Sequence, residues 1–256
     1  MYLPSFQLNN KTAVVTGAGR GIGRAFAIGL AEAGADVVLL ARTKADLDEV
    51  AAAIESIGRK AYPIPADLTK RADVDRVMTT VKKEIGQLNI LVNNAGMNIR
   101  TPAVDVTDEE WRKIVDTNLH SAFMMSQGAA RWMKENGGGR IINISSVAGH
   151  VALRTGVVYA ATKAGLIQMT KTLALEWAAY GIRVNAVGPW YFKTPLTEQL
   201  LADETYLNEI LARTPMKRVG DLQDLVGPVV FLASDASAYV TGQTLFVDGG
   251  MTIYGF

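Results

Sequence analysis

Residues 12 to 41 read T-A-V-V-T-G-A-G-R-G-I-G-R-A-F-A-I-G-L-A-E-A-G-A-D-V-V-L-L-A. Thr12 to Thr16 is a short β-branched run, the pattern of a buried strand. Gly17, Gly21 and Gly23 follow at once. From there the apolar positions take helical spacing to Ala33, and Gly34 stands where a helix would close. Asp36 to Ala41 is a second apolar run. Strand, glycine turn, helix and strand make one βαβ unit. Glycines in such a turn let the backbone fold tightly and approach a pyrophosphate, while the helix N-terminus offers free N–H groups and a positive dipole end. The spacing is G-x-x-x-G-x-G, not the G-x-G-x-x-G of the common dinucleotide fingerprint.

The alternation continues outward from this unit. Helical patterns are predicted over Thr43–Ile57, Ala72–Ile85, Asp108–Glu135, Val157 to about Tyr180, and Asp221–Ala233. Between them lie strand patterns at Ala61–Ala66, Asn89–Asn93, Arg140–Ser145, Ile182–Val187 and Thr244–Val247. Pro63 and Pro65 weaken the third strand, because proline cannot donate to a ladder. Gly188 to Pro215 is irregular with helical pieces. This order predicts an α/β chain, one doubly wound domain over residues 1–256 with a mostly parallel sheet and helices on both faces. Ligands in such sheets bind beyond the carboxyl ends of the strands. Gly17–Gly23, Asp67, Asn94–Gly96, Ser146 and Gly188–Pro189 all follow strand ends and are expected to meet at one edge.

Composition narrows the function. Apolar residues are 49% and charged residues 20% of 256, ample for a core, and net charge is +1. Nothing in that balance suggests a nucleic-acid or membrane-surface partner. There is no cysteine and there are two histidines, which argues against a zinc site and suits a reducing compartment. No run reaches the roughly 18 apolar residues of a membrane span, and Met1–Asn10 does not read as a secretory signal. A cytoplasmic protein is expected.

The chemistry is carried by residues 143 to 171. Ser146 sits where a strand ends. Tyr159 and Lys163 are four apart on the first turns of a helix and share a face. An ammonium beside a phenol favours the phenolate and brings it toward a useful pH for proton transfer.

Thr16-Gly17-x-x-x-Gly21-x-Gly23, Asn93-Asn94-Ala95-Gly96, Asn118, Ser146 and Tyr159-x-x-x-Lys163 stand in the order and spacing of the short-chain dehydrogenases/reductases. The resemblance runs from Lys11 to Val247-Asp248-Gly249-Gly250. It implies a Rossmann-type fold of seven strands, a nicotinamide cofactor and a homotetramer. It also implies roles. Tyr159 is the general acid/base, Lys163 lowers its pKa and holds the nicotinamide ribose, Ser146 bonds the reacting oxygen, and Asn118 holds a water linking Lys163 to solvent. Asp67 is placed at the adenine, Asn94 near the adenine ribose, and Thr194 at the carboxamide. Ile22, Leu68, Ala95, Gly96 and Pro189 complete the expected cofactor site. Where the family has Pro-Gly after the sixth strand, this chain has Pro189-Trp190, so the pocket beside the nicotinamide is expected to be reshaped.

An acid at the end of the second strand would accept the ribose 2′-OH of NAD. Here that place holds Ala41, followed by Arg42 and Thr43, with Arg20 inside the glycine loop. Two guanidiniums and no carboxylate suit a 2′-phosphate, so NADP(H) is the expected cofactor. For the substrate, the walls are expected from Asn98, Arg100, Ser146, His150, Arg154, Tyr159, Trp190 and Tyr191, a polar and partly cationic set. The run Gly96-Met97-Asn98-Ile99-Arg100 with Trp190-Tyr191 resembles the sugar-acid branch of the family, notably gluconate 5-dehydrogenases, with Arg100 or Arg154 pairing a carboxylate. The alternatives are a 3-oxoacyl thioester reductase, a broad carbonyl reductase, and a protein that binds cofactor without turnover. The apolar stretches Val240–Val247 and Met251–Phe256 are expected near a subunit interface.

Overall fold

A computed structural model describes residues 2–195 and 197–255; Phe256, the end of the expected interface tail, lies outside them. Seven strands form one sheet: β1 (Thr12–Thr16), β2 (Asp36–Ala41), β3 (Ala61–Pro65), β4 (Ile90–Asn93), β5 (Gly139–Ile144), β6 (Ile182–Pro189) and β7 (Thr244–Val247). Their order is β3-β2-β1-β4-β5-β6-β7, and every pairing is parallel. The chain runs outward from β1 to β3, then returns to set β4 beside β1. That reversal is the switch point where a ligand crevice opens.

Helices α1 (Gly21–Glu32), α2 (Lys44–Ser56) and α9 (Leu222–Ala233) cover one face, and α3 (Arg71–Thr80), α5 (Ser121–Glu135) and α6 (Val157–Trp177) the other. Successive strand residues point to opposite faces, so Val15 and Leu39 join Phe26, Leu30 and Leu225. Val14 and Val38 join Val77, Met125 and Leu173. Burial on both faces is why the strands read as unbroken apolar runs.

Three differences from the sequence reading have physical reasons. β3 keeps its prolines because it is an edge strand and pairs only with β2, the position where a missing donor is tolerated. The helix expected over Ala72–Ile85 is α3 followed by a widened turn, Val81–Ile85, closed by Gly86 in the left-handed region. The long helix expected over Asp108–Glu135 is α4 (Asp108–Val115) and α5 joined by a second widened turn, Asp116–His120. Such turns insert one residue and re-aim a side chain, often at functional sites. Here the turn carries Asn118. The irregular stretch after β6 holds two short helices, α7 (Glu198–Leu201) and α8 (Glu204–Ala212).

Candidate active site

At the switch point the glycine loop is held by close backbone approach. Gly17 and Gly21 have φ of +66° and +57°. A Cβ on Gly23 would fall inside the Gly17 carbonyl oxygen, so only glycine lets α1 start this close to β1. Asn94 fastens the loop from the side: its Nδ2 donates to the carbonyls of Thr16 (3.0 Å) and Gly17 (3.3 Å). Thr16 Oγ1 in turn accepts from the backbone N–H of Asn94 and Ala95, both at 2.9 Å. Asn94, expected near the adenine ribose, braces the glycine loop.

The N-terminus of α1 has no side-chain cap and no acid in its first turn, which leaves donors for an anion. Arg20 and Arg42 are both exposed there. Arg42 is close enough to Asp67 to help hold that carboxyl below its usual range, although the bond from the Thr69 hydroxyl is the larger cause. Thr43 precedes α2 without capping it. Leu68 is buried, Ile22 half-buried, and Thr194 faces Gly21, 3.9 Å from where a Cβ would lie. A glycine cradle, an uncapped helix end and two exposed guanidiniums fit a dinucleotide bearing a 2′-phosphate.

One strand further, β5 grips α6. Lys163 Nζ donates to the Ile144 carbonyl at 2.7 Å, and Ser145 Oγ to the Lys163 carbonyl at 2.8 Å. Lys163 is 4% exposed, and burial pushes its pKa down to about 8. Its Nζ lies 5.5 Å from the centroid of the Tyr159 ring. Asn118, 1% exposed, accepts from Met97 N–H and donates to Met97 O, both at 2.8 Å. It also donates to Thr162 Oγ1 at 3.3 Å. A Cβ at Gly96 would meet Asn118 Oδ1 at 3.4 Å and Lys163 Nζ at 3.7 Å, so glycine keeps open the gap between amide and ammonium.

The Tyr159 hydroxyl is pushed above its ordinary pKa by burial; a hydrogen bond with Ser146 and the charge of Arg100 oppose that shift. Lys163, expected to lower that pKa, spends one N–H on the Ile144 carbonyl, and the charge that opposes the rise is that of Arg100.

The structure sorts the expected substrate walls. Arg100 Nη1 donates to the Tyr206 hydroxyl at 3.0 Å and Nη2 to the Tyr191 hydroxyl at 3.4 Å. Arg154 is instead exposed and ion-paired with Glu209 of α8. His150 is exposed and packs on Phe246, with ring centroids 5.0 Å apart. Trp190 meets Tyr191 edge to face at 4.6 Å, and its indole N–H donates to Thr214 Oγ1 at 3.0 Å. Trp190 thus ties the end of β6 to the end of α8. Tyr206 and Glu209 were not legible beforehand: the span between Gly188 and Pro215 has no strong period, and their partners lie far away in sequence.

A family profile described as enoyl-(acyl carrier protein) reductase matches residues 17–252. The chain is 43% identical to a tropinone reductase homolog of Arabidopsis thaliana, over 98% of this chain and 96% of the relative. It is 40% identical to the gluconate 5-dehydrogenase of Gluconobacter oxydans, over 97% of each. Its fold matches the crystal structure of a gluconate 5-dehydrogenase from Burkholderia cenocepacia in complex with NADP and tartrate, with a TM-score of 0.95. Identity there is 39%, over 99% of this chain and 100% of that one. The chain belongs to the short-chain dehydrogenase/reductase family. It is an oxidoreductase that interconverts alcohols and ketones.

Proposed function

We propose that this protein is an NADP(H)-dependent dehydrogenase of a sugar acid, oxidising a secondary alcohol to a ketone or reducing it back. The observation that carries the substrate class is Arg100. Its guanidinium is held by two phenols, with no carboxylate acting on it among the described residues, and its charge reaches Tyr159. A cation left uncompensated beside the acid/base suits a substrate carboxylate. It would repel a basic amine ketone, the substrate type that the name of the Arabidopsis relative suggests. The Burkholderia relative was solved with tartrate, a hydroxy dicarboxylate, and with NADP; both agree with this reading. Arg154 is the weaker anchor, since Glu209 already neutralises it.

The cofactor would lie along the glycine loop, with Arg20 and Arg42 at the 2′-phosphate and Lys163 at the nicotinamide ribose. When bound, the nicotinamide supplies or accepts the hydride. The protein's own task is one proton. In reduction, Tyr159 gives its phenolic proton to the carbonyl oxygen while Ser146 Oγ hydrogen-bonds that oxygen. In oxidation, the phenolate takes the proton back. Burial keeps the phenol protonated for the first direction; Arg100 and Ser146 favour the phenolate needed for the second. Asn118, facing Lys163 across Gly96, provides the polar gap through which a water can resupply the proton. Such positioned acid–base help is worth roughly 10²–10⁴ in rate.

The reading extends to a cytoplasmic homotetramer. Leu175, Tyr239, Leu245, Ile253 and Tyr254 are large apolar side chains left exposed on or beside α6 and β7, which a subunit contact would cover.

Initial rates of NADPH oxidation test the substrate and its anchor together. The probes are 5-ketogluconate, an acetoacetyl thioester and a neutral aryl ketone, each with wild type and Arg100→Ala. Wild type is expected to prefer the ketogluconate. Arg100→Ala is expected to raise its KM at least about tenfold, as for a lost charge-assisted pair, and to spare the aryl ketone. No turnover of ketogluconate, or an unchanged KM, would sink the assignment.

A further inference from the structure

We propose that Tyr206, carried on α8, is a positioning residue that aims Arg100, so that selection of anionic substrates depends on α8 being docked. The inference rests on the reading of Arg100 as the carboxylate anchor.

Tyr206 occupies the first turn of α8. Asp203 caps that helix by accepting from the N–H groups of Thr205 (2.9 Å) and Tyr206 (3.1 Å), which fixes the backbone where the phenol begins. The hydroxyls of Tyr191 and Tyr206 are 2.6 Å apart and hydrogen-bonded. Their rings meet edge to face at 6.0 Å. Arg100 donates one N–H to each hydroxyl. The Tyr206 ring also lies 5.9 Å from the Arg100 guanidinium carbon. Arg100 therefore has its direction set by a bonded pair of phenols, one from the strand exit and one from the helix.

The chemistry of that choice matters. A carboxylate would orient a guanidinium equally well but would cancel its charge and compete with a substrate anion. A neutral phenol orients without cancelling. The Tyr191 phenol is pushed up to about 12, chiefly by burial, so it stays neutral across any working pH. The N–H groups not used by the two hydroxyls remain for a ligand.

Two further contacts make this arrangement conditional on the helix. Glu209, one turn after Tyr206, is ion-paired with Arg154 on the loop after β5. At the other end, the buried Thr214 hydroxyl accepts from Trp190 and donates to the Ile210 carbonyl. If α8 moves away, Tyr206 leaves with it, and Arg100 loses the nearer of its two acceptors. The departure of Trp190 from the family's glycine then has a use, because it anchors the element that carries the phenol.

Tyr206→Phe keeps the ring and removes the hydroxyl. The expected result is a rise of about tenfold in KM for 5-ketogluconate, with kcat within about twofold, the scale of one hydrogen bond to a charged group. KM for a neutral aryl ketone and Kd for NADPH are expected to stay put. In an Arg100→Ala background the same change is expected to add nothing, since coupled residues lose their effect together. Equal damage to both substrates would assign Tyr206 a merely structural role. An effect that persists without Arg100, or no effect where Arg100→Ala has one, would also overturn the proposal. Arg100→Ala leaving the ketogluconate KM unchanged would instead remove the reading beneath it.

Discussion

The two halves of the site are built by different means. The cofactor half, from Gly17 to Gly23 with Asn94 and Gly96, is shaped by backbone: positive φ, missing Cβ atoms and main-chain hydrogen bonds. The substrate half, from Arg100 to Tyr191, Tyr206 and Glu209, is shaped by long side chains meeting tip to tip. In the first, a methyl added at Gly23 has nowhere to go. In the second, the partners are partly wet and can be exchanged one at a time. A shared cofactor requires the former, while a family with many substrates is served by the latter.

Gly23→Ala should break the rigid half most severely. Its Cβ would overlap the Gly17 carbonyl, and neither the start of α1 nor the end of β1 can give way without the other. Overpacking of this kind costs about 1–3 kcal/mol, and here it also displaces the donors that face the phosphates. NADPH affinity measured by fluorescence titration is expected to fall by more than about a hundredfold, equivalent to ~2.7 kcal/mol. Near-normal affinity would mean that the loop is as adaptable as the substrate half.

Lys163 lies where the halves join and gives a pH-dependent test. Its folded pKa is about 8, against 10.5 for the free side chain. Below about pH 8 both states hold the proton, and the folded protein bears the full cost of a buried ammonium. Between pH 8 and 10.5 the unfolded chain binds more protons, so stability gains with rising pH. Lys163→Met removes that dependence. The variant should be inactive, yet relative to wild type most stable near pH 7, by up to ~3 kcal/mol, less whatever the Ile144 carbonyl loses with its donor. The advantage should shrink steadily toward pH 10.5. Denaturant melts of both proteins at several pH values would show it, and a constant difference would mean that folding leaves the pKa of Lys163 unshifted.

The same contrast explains what the sequence could tell. Strand runs, the glycine turn and the Tyr159–Lys163 spacing are local patterns, so the sheet and the catalytic face are legible in order. The widened turn at Asp116–His120 was hidden, because one extra residue in a helix barely disturbs its apolar period, yet it aims Asn118. The partners of Arg100 were hidden for a different reason. Tyr191 and Tyr206 lie 91 and 106 residues away, and no periodicity marks a phenol that will meet a guanidinium only in the folded chain. Sequence alone left Arg100 and Arg154 interchangeable as anchors.

Arg154→Ala separates them, and its effect should be the smallest. Arg154 is 75% exposed and Glu209 50%, and a pair so wet contributes little. Its guanidinium also sits 5.8 Å from the Tyr206 ring, an exposed and therefore weak cation–π contact. Both contacts bear on α8 and neither on the reacting atoms. Loss of the arginine should therefore loosen the docking of Tyr206 slightly and raise KM for 5-ketogluconate by no more than about fivefold. Added salt should weaken wild type toward the variant, since an exposed pair is screened, but leave the difference between wild type and Arg100→Ala largely intact. If Arg154→Ala instead matched Arg100→Ala in size, the substrate carboxylate would be held by the outer arginine, and Glu209 would be the group it displaces.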